Sequence, residues 1–110
     1  PTNSKIKRLE AEQEIDNKES IKRDLRILVI QQHGDVVLNY KLLQIANENL
    51  QSNLTQLIMG ESQFKNGEIR LNDLANIKEM YYKSLINFEK SKSEFMGSYI
   101  ILQEIVGFEF

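Results

Sequence analysis

The chain has 110 residues, a formal net charge of −2 with acidic and basic residues interspersed, and no cysteine. This composition excludes a disulfide framework and a thiolate metal site, and it provides no basic field for nucleic acid. The sequence contains no run of about 18 apolar residues, so no transmembrane helix is predicted. Proline occurs once, at position 1, and glycine is sparse, so long helices are expected.

Residues ~4–62 are predicted to form one long helix, because apolar residues recur at intervals of three and four. Gln32 interrupts the stripe, and before Leu25 the apolar residues thin out among charged ones. The N-terminal third is therefore expected to be helical but to fray easily. The apolar stripe consists of Leu25, Val29, Val36, Tyr40, Leu43, Ala46, Leu50, Leu54 and Leu57.

The stretch FKNGEIRLNDL contains the break between two helical patterns, with a tip turn predicted at residues ~63–70. Gly67 can take the positive φ that a tight turn requires. A hairpin needs only polar residues and a glycine to turn. This one also carries apolar residues at or near its tip: Phe64, Ile69, Leu71 and Leu74.

Residues ~71–106 are predicted to form a second helix, in which apolar steps alternate between four and three in a heptad pattern. Lys92 falls in this stripe, and its aliphatic stem can extend past the seam. A second apolar line falls off the seam, so the helix is expected to have neighbours on more than one side. That line consists of Met80, Ile100, Ile101 and Ile105. The predicted helix-packing seam consists of Tyr81, Leu85, Phe88, Phe95, Tyr99 and Leu102.

Together these patterns predict an all-α fold: a single long antiparallel helical hairpin of coiled-coil type. The first helix is the longer one, so its first ~25 residues should project beyond the end of the second. Two helices make a small core, and stability is expected to require a larger helical assembly. Gly34, Gly60 and Gly97 are either tolerated weak points or places where a neighbouring helix approaches closely.

The sequence lacks the residue patterns of catalytic and metal sites. His33 is the only histidine and has no ligand spacing around it, so it is interpreted as a solvated surface residue. No phosphate-binding glycine loop occurs, and no serine has the context of a nucleophile. We therefore expect no enzymatic activity, no cofactor and no metal. The aromatic residues of the second helix have heptad spacing, which predicts packing and not base stacking.

The order of these motifs resembles the C-terminal half of the TolC-like outer membrane efflux proteins, over about residues 20–107. The tip has an aromatic-x-x-Gly motif, Phe64 to Gly67, followed by the Asp-Leu pair Asp73-Leu74. The second helix, YYKSLINFEKSKSEFMGSYIILQEIVG, ends with the spacing Leu-x-x-x-x-Gly. The upstream stretch LRILVIQQHGDVVLNYKLLQIANENLQ is similar to the family's long helix. Arg70 departs from the family's frequent Ser/Thr, which leaves Asn72 as a candidate helix cap.

The resemblance implies that this chain is a fragment of a trimeric α-barrel, the second hairpin of each protomer. The segment would lie in the periplasm as tunnel wall of an outer membrane channel for efflux or type I export. Contact with the membrane would occur only through a β-barrel outside this segment. The implied partners are two other copies, a periplasmic adaptor protein and an inner-membrane pump. The implied adaptor-docking tip consists of Phe64, Gly67, Ile69, Leu71, Asp73 and Leu74.

Some alternatives stay open at this stage. Asp73 could help to hold a tunnel entrance closed through ion pairs, or its charge could complement the dipole of the second helix. Asn76 stands where some family members have an acid, so an acidic ring at the mouth is not expected. The chain could instead be a coiled-coil scaffold or dimerisation module without a transport role. It could also be the adaptor's own hairpin, although the sequence shows no pattern of flanking strands.

Overall fold

The structure is a computed structural model that describes residues 2–109. Helix α1 spans Thr2–Lys65 and helix α2 spans Leu71–Glu109, with a short turn between them. The two helices pack against each other in antiparallel orientation, and no strand occurs in the described residues. The prediction of an all-α helical hairpin is therefore confirmed. Both helices run about a turn further at their C-terminal ends than the sequence pattern predicts.

The hairpin is an extended rod. Its principal extents are 98 × 16 × 14 Å and its radius of gyration is 26.7 Å, whereas a compact domain of this length would have a radius of about 13 Å. The accessible surface is 8881 Å², against about 6,300 Å² for a compact monomer of this mass. The two helices therefore bury a narrow seam and leave most apolar side chains in contact with solvent.

The seam positions of α1 follow an unbroken heptad alternation of four and three residues. Gln32 belongs to this seam instead of interrupting it. Tyr40 was predicted in the stripe, but it is 48% exposed and Asn39 occupies the seam position. The buried and half-buried seam residues are Leu25, Val29, Gln32, Val36, Asn39, Leu43, Ala46, Leu50, Asn53, Leu57 and Gly60.

The seam of α2 differs from the predicted one at alternate positions. Three seam positions of α2, at heptad spacing, are occupied by serine: Ser84, Ser91 and Ser98. The sequence pattern had assigned these positions to the larger residues that follow each serine, such as Leu85 and Tyr99. Ile105 also lies in this seam, not on the second apolar line. The seam residues of α2 are Leu74, Ile77, Tyr81, Ser84, Phe88, Ser91, Phe95, Ser98, Leu102 and Ile105.

Serine is accepted in this apolar contact because its hydroxyl is satisfied locally. The Ser84 hydroxyl donates to the Tyr81 carbonyl at 2.7 Å, and the Ser98 hydroxyl donates to the Phe95 carbonyl at 2.8 Å. Both bonds stay within the helix, so neither serine needs a partner on the other helix. Their small side chains then allow the backbones of α1 and α2 to approach each other.

Residues 2–24 of α1 project beyond the end of α2 as a single helix, which we call the overhang. All its residues are exposed except Ser20, which is half-buried. Near its far end, α2 lies beside Leu25 and Leu28, which line a groove of about 260 Å³ together with Ile105 and Phe108. The overhang therefore has no packing partner within the described part of the chain, as the unequal helix lengths predict.

Candidate functional site at the hairpin tip

Helix α1 ends at the tip in a Schellman motif built on Gly67. The Glu68 N–H donates to the Gln63 carbonyl at 2.8 Å, and the Gly67 N–H donates to the Phe64 carbonyl at 3.0 Å. This pair of bonds requires a left-handed residue at the C′ position. Gly67 has φ +77°, the one positive φ among the described residues, and glycine takes that conformation without a steric penalty.

Helix α2 begins at the tip with a cap that its own first turn supplies. The Asp73 carboxylate accepts a hydrogen bond from the Arg70 N–H at 3.1 Å, and the Leu74 N–H donates to the Arg70 carbonyl at 3.2 Å. Arg70 is thus the N-cap residue, and Asp73 provides the acidic half of a capping box. The suggestion of Asn72 as the cap is wrong, because Asn72 lies inside α2. The charge of Asp73 also complements the positive end of the helix dipole.

The apolar residues of the tip divide into one that packs inward and others that face solvent. Leu74 is only 5% exposed and lies in the seam, so it is not available to a docking partner. Ile69 is half-buried. Phe64 is 39% exposed and Leu71 is 64% exposed. The exposed apolar surface of the tip therefore consists mainly of Phe64 and Leu71.

Close approach of the two helices near the tip depends on Gly60. A Cβ atom at this position would lie 2.8 Å from Ile77 Cδ1 and 3.7 Å from Leu74 Cδ1. Gly60 is therefore a site of close helix contact, one of the two readings that the sequence left open. Gly34 and Gly97 differ, because among residues 2–109 no atom other than the nearby backbone of the same helix lies within 4 Å of a Cβ built there.

Four of the six predicted packing-seam residues lie in the seam, whereas Leu85 and Tyr99 flank it, next to Ser84 and Ser98. The side chains of Tyr81, Leu85, Phe88, Phe95 and Leu102 are half-buried. Tyr99 is 47% exposed, so its placement in the seam is wrong; Ser98 occupies that position instead. The Tyr99 ring still stacks beside Phe95, with centroids 6.3 Å apart, and the Tyr40 ring of α1 lies tilted against Phe95 with centroids 5.6 Å apart.

One cross-helix hydrogen bond was not predicted from the sequence. The Gln32 side-chain amide donates to the Ser98 carbonyl at 2.9 Å and is part-buried. In the described residues it is the one side-chain hydrogen bond that joins α1 to α2. The sequence does contain a signal for this bond, because Gln32 is a polar residue at a heptad position. Such a residue can specify the register of one helix against the other.

Beside this bond lies an open cleft of about 420 Å³ between the helices. Its lining includes two carboxylates, Asp35 and Glu94, together with Asn39 and the backbone at Gly97. Across residues 2–109 no group of three or more potential metal-ligating side chains occurs. The cleft therefore does not form a metal site of ordinary composition.

Neither a search for membrane-spanning helices nor comparison with known proteins assigns a function to the chain. Within the described stretch, neither helix combines the length and apolar character needed to cross a membrane. Protein-family models, curated proteins and solved structures give no significant match to the chain. The features of the molecule that bear on its function are therefore the shape of the hairpin and the side chains that it exposes.

Proposed function

We propose that this chain is a segment of a TolC-like outer membrane channel for efflux or type I export, and that it forms part of the channel's periplasmic tunnel wall. The proposal assigns it no enzymatic activity and no cofactor. A rod 98 Å long with helices of unequal length supports this role, because such a rod spans a wide aqueous gap and requires neighbours along its sides. The intact protein would be a homotrimer in the outer membrane, with this segment in the periplasm.

The observation that carries the docking role is the exposure of Phe64 and Leu71 at the tip. A Schellman turn and a helix cap need neither side chain to be apolar. Exposed apolar side chains on either side of a tight turn are typical of a protein-binding surface. In this proposal the tip docks a periplasmic adaptor protein, which connects the channel to an inner-membrane pump.

The test is a double substitution, Phe64→Ser with Leu71→Ser, in the full-length protein in its bacterial host. We expect increased sensitivity to exported compounds and loss of adaptor cross-linking, because the apolar contact is removed. Ile58→Ser is the matched control, since Ile58 is 62% exposed but lies on the shaft of α1. Unchanged export by the double variant, with normal amounts of channel in the outer membrane, would contradict the docking role.

A second candidate function is a coiled-coil scaffold or dimerisation module without transport. The unbroken heptad alternation in both seams favours this alternative. A scaffold needs no docking tip, so the same double variant should retain its assembly and its partners. Loss of export in that variant, with assembly intact, therefore separates the channel role from the scaffold role.

A further inference from the structure

The tip turn contains a dipeptide that is chemically reactive as well as suited to a turn. Of the ten asparagines in the sequence, only Asn66 is followed by a glycine, Gly67. In the described residues Asn66 is also the one asparagine that lies outside both helices, since α1 ends at Lys65 and α2 begins at Leu71. Asparagine is one of the chemically least stable residues of proteins, so slow covalent change is expected first at this position.

The reaction of an Asn-Gly pair needs no enzyme and no oxidant. The Gly67 nitrogen loses its proton to hydroxide and attacks the Asn66 Cγ, which closes a five-membered succinimide ring. The bond from Cγ to the side-chain nitrogen breaks, and that nitrogen takes a proton from water and leaves as ammonia. A second water molecule then opens the ring at either of its carbonyls. The product is aspartate, or isoaspartate, in which the main chain runs through the former side-chain carbons.

The surroundings of the pair leave room for this ring closure. Asn66 and Gly67 are both exposed. Among residues 2–109, a Cβ atom built on Gly67 would meet no atom within 4 Å beyond its two chain neighbours. Glycine itself has no side chain to hinder the attack of its nitrogen. Asn17 differs in this respect, because the residue that follows it is Lys18.

The Schellman motif opposes the reaction. The Gly67 N–H donates to the Phe64 carbonyl at 3.0 Å, and the Glu68 N–H donates to the Gln63 carbonyl at 2.8 Å. These bonds hold the proton that must leave and restrain the rotation that brings the Gly67 nitrogen to the Asn66 Cγ. Attack therefore requires the turn to open locally, and exposed tips open more readily than packed helices. Breaking two ordinary hydrogen bonds lowers the reactive fraction by about tenfold or more.

We propose that Asn66 is a site of spontaneous deamidation, and that opening of the Schellman turn sets its rate. The product places a negative charge beside the C-terminal end of α1, which is the negative end of the helix dipole, in a turn that already contains Glu68. Isoaspartate also adds one methylene to the main chain within the ring that each turn bond closes. Deamidation therefore weakens the connection between the two helices. This chemistry rests on the sequence and the turn alone, and not on the proposed function.

The first experiment is peptide mass spectrometry of the native chain during incubation at mildly alkaline pH, with fragmentation that separates aspartate from isoaspartate. We expect Asn66 to convert about tenfold faster than Asn17, or more, because glycine does not hinder the attack. Asn17 is the internal control, since it is exposed in the overhang, which has no packing partner. Asn66→Gln is the chemical control and should remain unmodified, because glutamine would have to close a larger ring. Equal conversion of Asn66 and Asn17 would overturn the site.

The second experiment tests the control of the rate by the turn. Asn66 should convert about tenfold faster, or more, in the guanidinium-denatured chain than in the native chain. Leu74→Ala should accelerate conversion in the native chain, because Leu74 is 5% exposed and packs beside the tip. Leu102→Ala is the matched control at the other end of the seam and should leave the rate nearly unchanged.

Circular dichroism verifies that both leucine variants keep their helices under the incubation conditions. Equal conversion of Asn66 in the native and denatured chains would overturn control by the turn. Equal acceleration by two folded leucine variants would overturn it as well, because the reactive state would then arise from separation of the whole seam.

Discussion

The overhang and the paired section of the hairpin are continuous in α1, yet different forces stabilise them. In the paired section, seam residues such as Leu50, which is 8% exposed, lie against α2. In the overhang, Leu9 and Ile15 are 58% and 57% exposed, and no other element lies beside them. The same helical backbone therefore has tertiary support over one part of its length only.

This difference shows that helical geometry and helical stability are separate properties. An isolated helix gains little from each added residue and loses its ends easily, whereas a packed helix is held by the burial of its apolar stripe. The overhang is rich in charged residues, which suits a solvated helix but supplies only weak local pairs. Its persistence therefore depends on neighbours outside the hairpin or on continuity with the paired section.

Hydrogen exchange should give the largest contrast between the two regions. Amides of residues 2–24 should exchange faster than those of residues 74–102 by about two orders of magnitude or more, equivalent to about 3 kcal/mol of opening free energy. The physical reason is that the overhang opens locally, whereas the seam opens only when the helices separate. Mass spectrometry of the exchanging chain, at concentrations where it is monomeric, provides the measurement.

Uniform protection along α1 under those conditions would break the comparison. It would mean that the overhang is held as firmly as the seam, contrary to its exposure. The exchange of residues 43–57, which lie in the section of the same helix that is paired with α2, provides an internal reference within one chain.

Leucine truncation should separate the two regions by a smaller amount. Leu50→Ala should lower the free energy of unfolding by about 2 kcal/mol, because it removes a buried side chain and leaves a space in the seam. Leu9→Ala is the matched change in the overhang and should alter that free energy by less than about 0.5 kcal/mol. Urea unfolding followed by circular dichroism measures both. Similar losses for the two variants would show that the overhang contributes to the cooperative fold.

The architecture was predictable because its signals are local. Two long stretches with helical periodicity, a single region of turn residues and a difference in length predict an antiparallel hairpin with an overhang. Gly67 was identifiable as the turn residue because few residues other than glycine take a positive φ at low cost. The structure places it at that point in the Schellman motif.

The phase of the seam was less predictable, because hydrophobicity alone favours the larger residue. Tyr99 is more apolar than Ser98 and was assigned to the seam, but the inner position belongs to Ser98. The choice depends on how closely the second helix approaches, which is a property of the pair. Ser84 and Ser91 likewise occupy seam positions at heptad spacing. This repeat of small residues indicated the correct phase of the seam, but a pattern based on hydropathy does not detect it.

The candidate site was predictable in position but not in detail. The apolar character of the tip follows directly from its sequence, and Phe64 and Leu71 are indeed exposed. The burial of Leu74 could not be read from its motif, because it depends on contact with Gly60 across the turn. The capping role of Asp73 toward Arg70 likewise depends on the conformation of the turn.

Substitution of two glycines sharpens the comparison between the overhang and the paired section. Gly67 lies in the turn that brings the two helices together, whereas Gly34 lies on the exposed side of α1. Gly67→Ala should lower the free energy of unfolding by about 1 kcal/mol, since alanine at φ +77° places its Cβ against the backbone. Gly34→Ala should raise it by up to about 1 kcal/mol, because alanine favours helix and its Cβ meets nothing within 4 Å. Thermal unfolding of the monomer should therefore show shifts of opposite sign.

Because the expected changes have opposite signs, the two substitutions together test whether the turn at Gly67 stabilises the paired section and not the overhang. If Gly67→Ala destabilises while the exchange of residues 2–24 stays unchanged, the turn acts on the paired section alone, as the structure requires. If both glycine substitutions stabilise, the left-handed conformation of Gly67 is not needed, and the hairpin turns in another way. Gly67→Asn provides a further control, because asparagine tolerates the left-handed region better than alanine and should restore part of the loss.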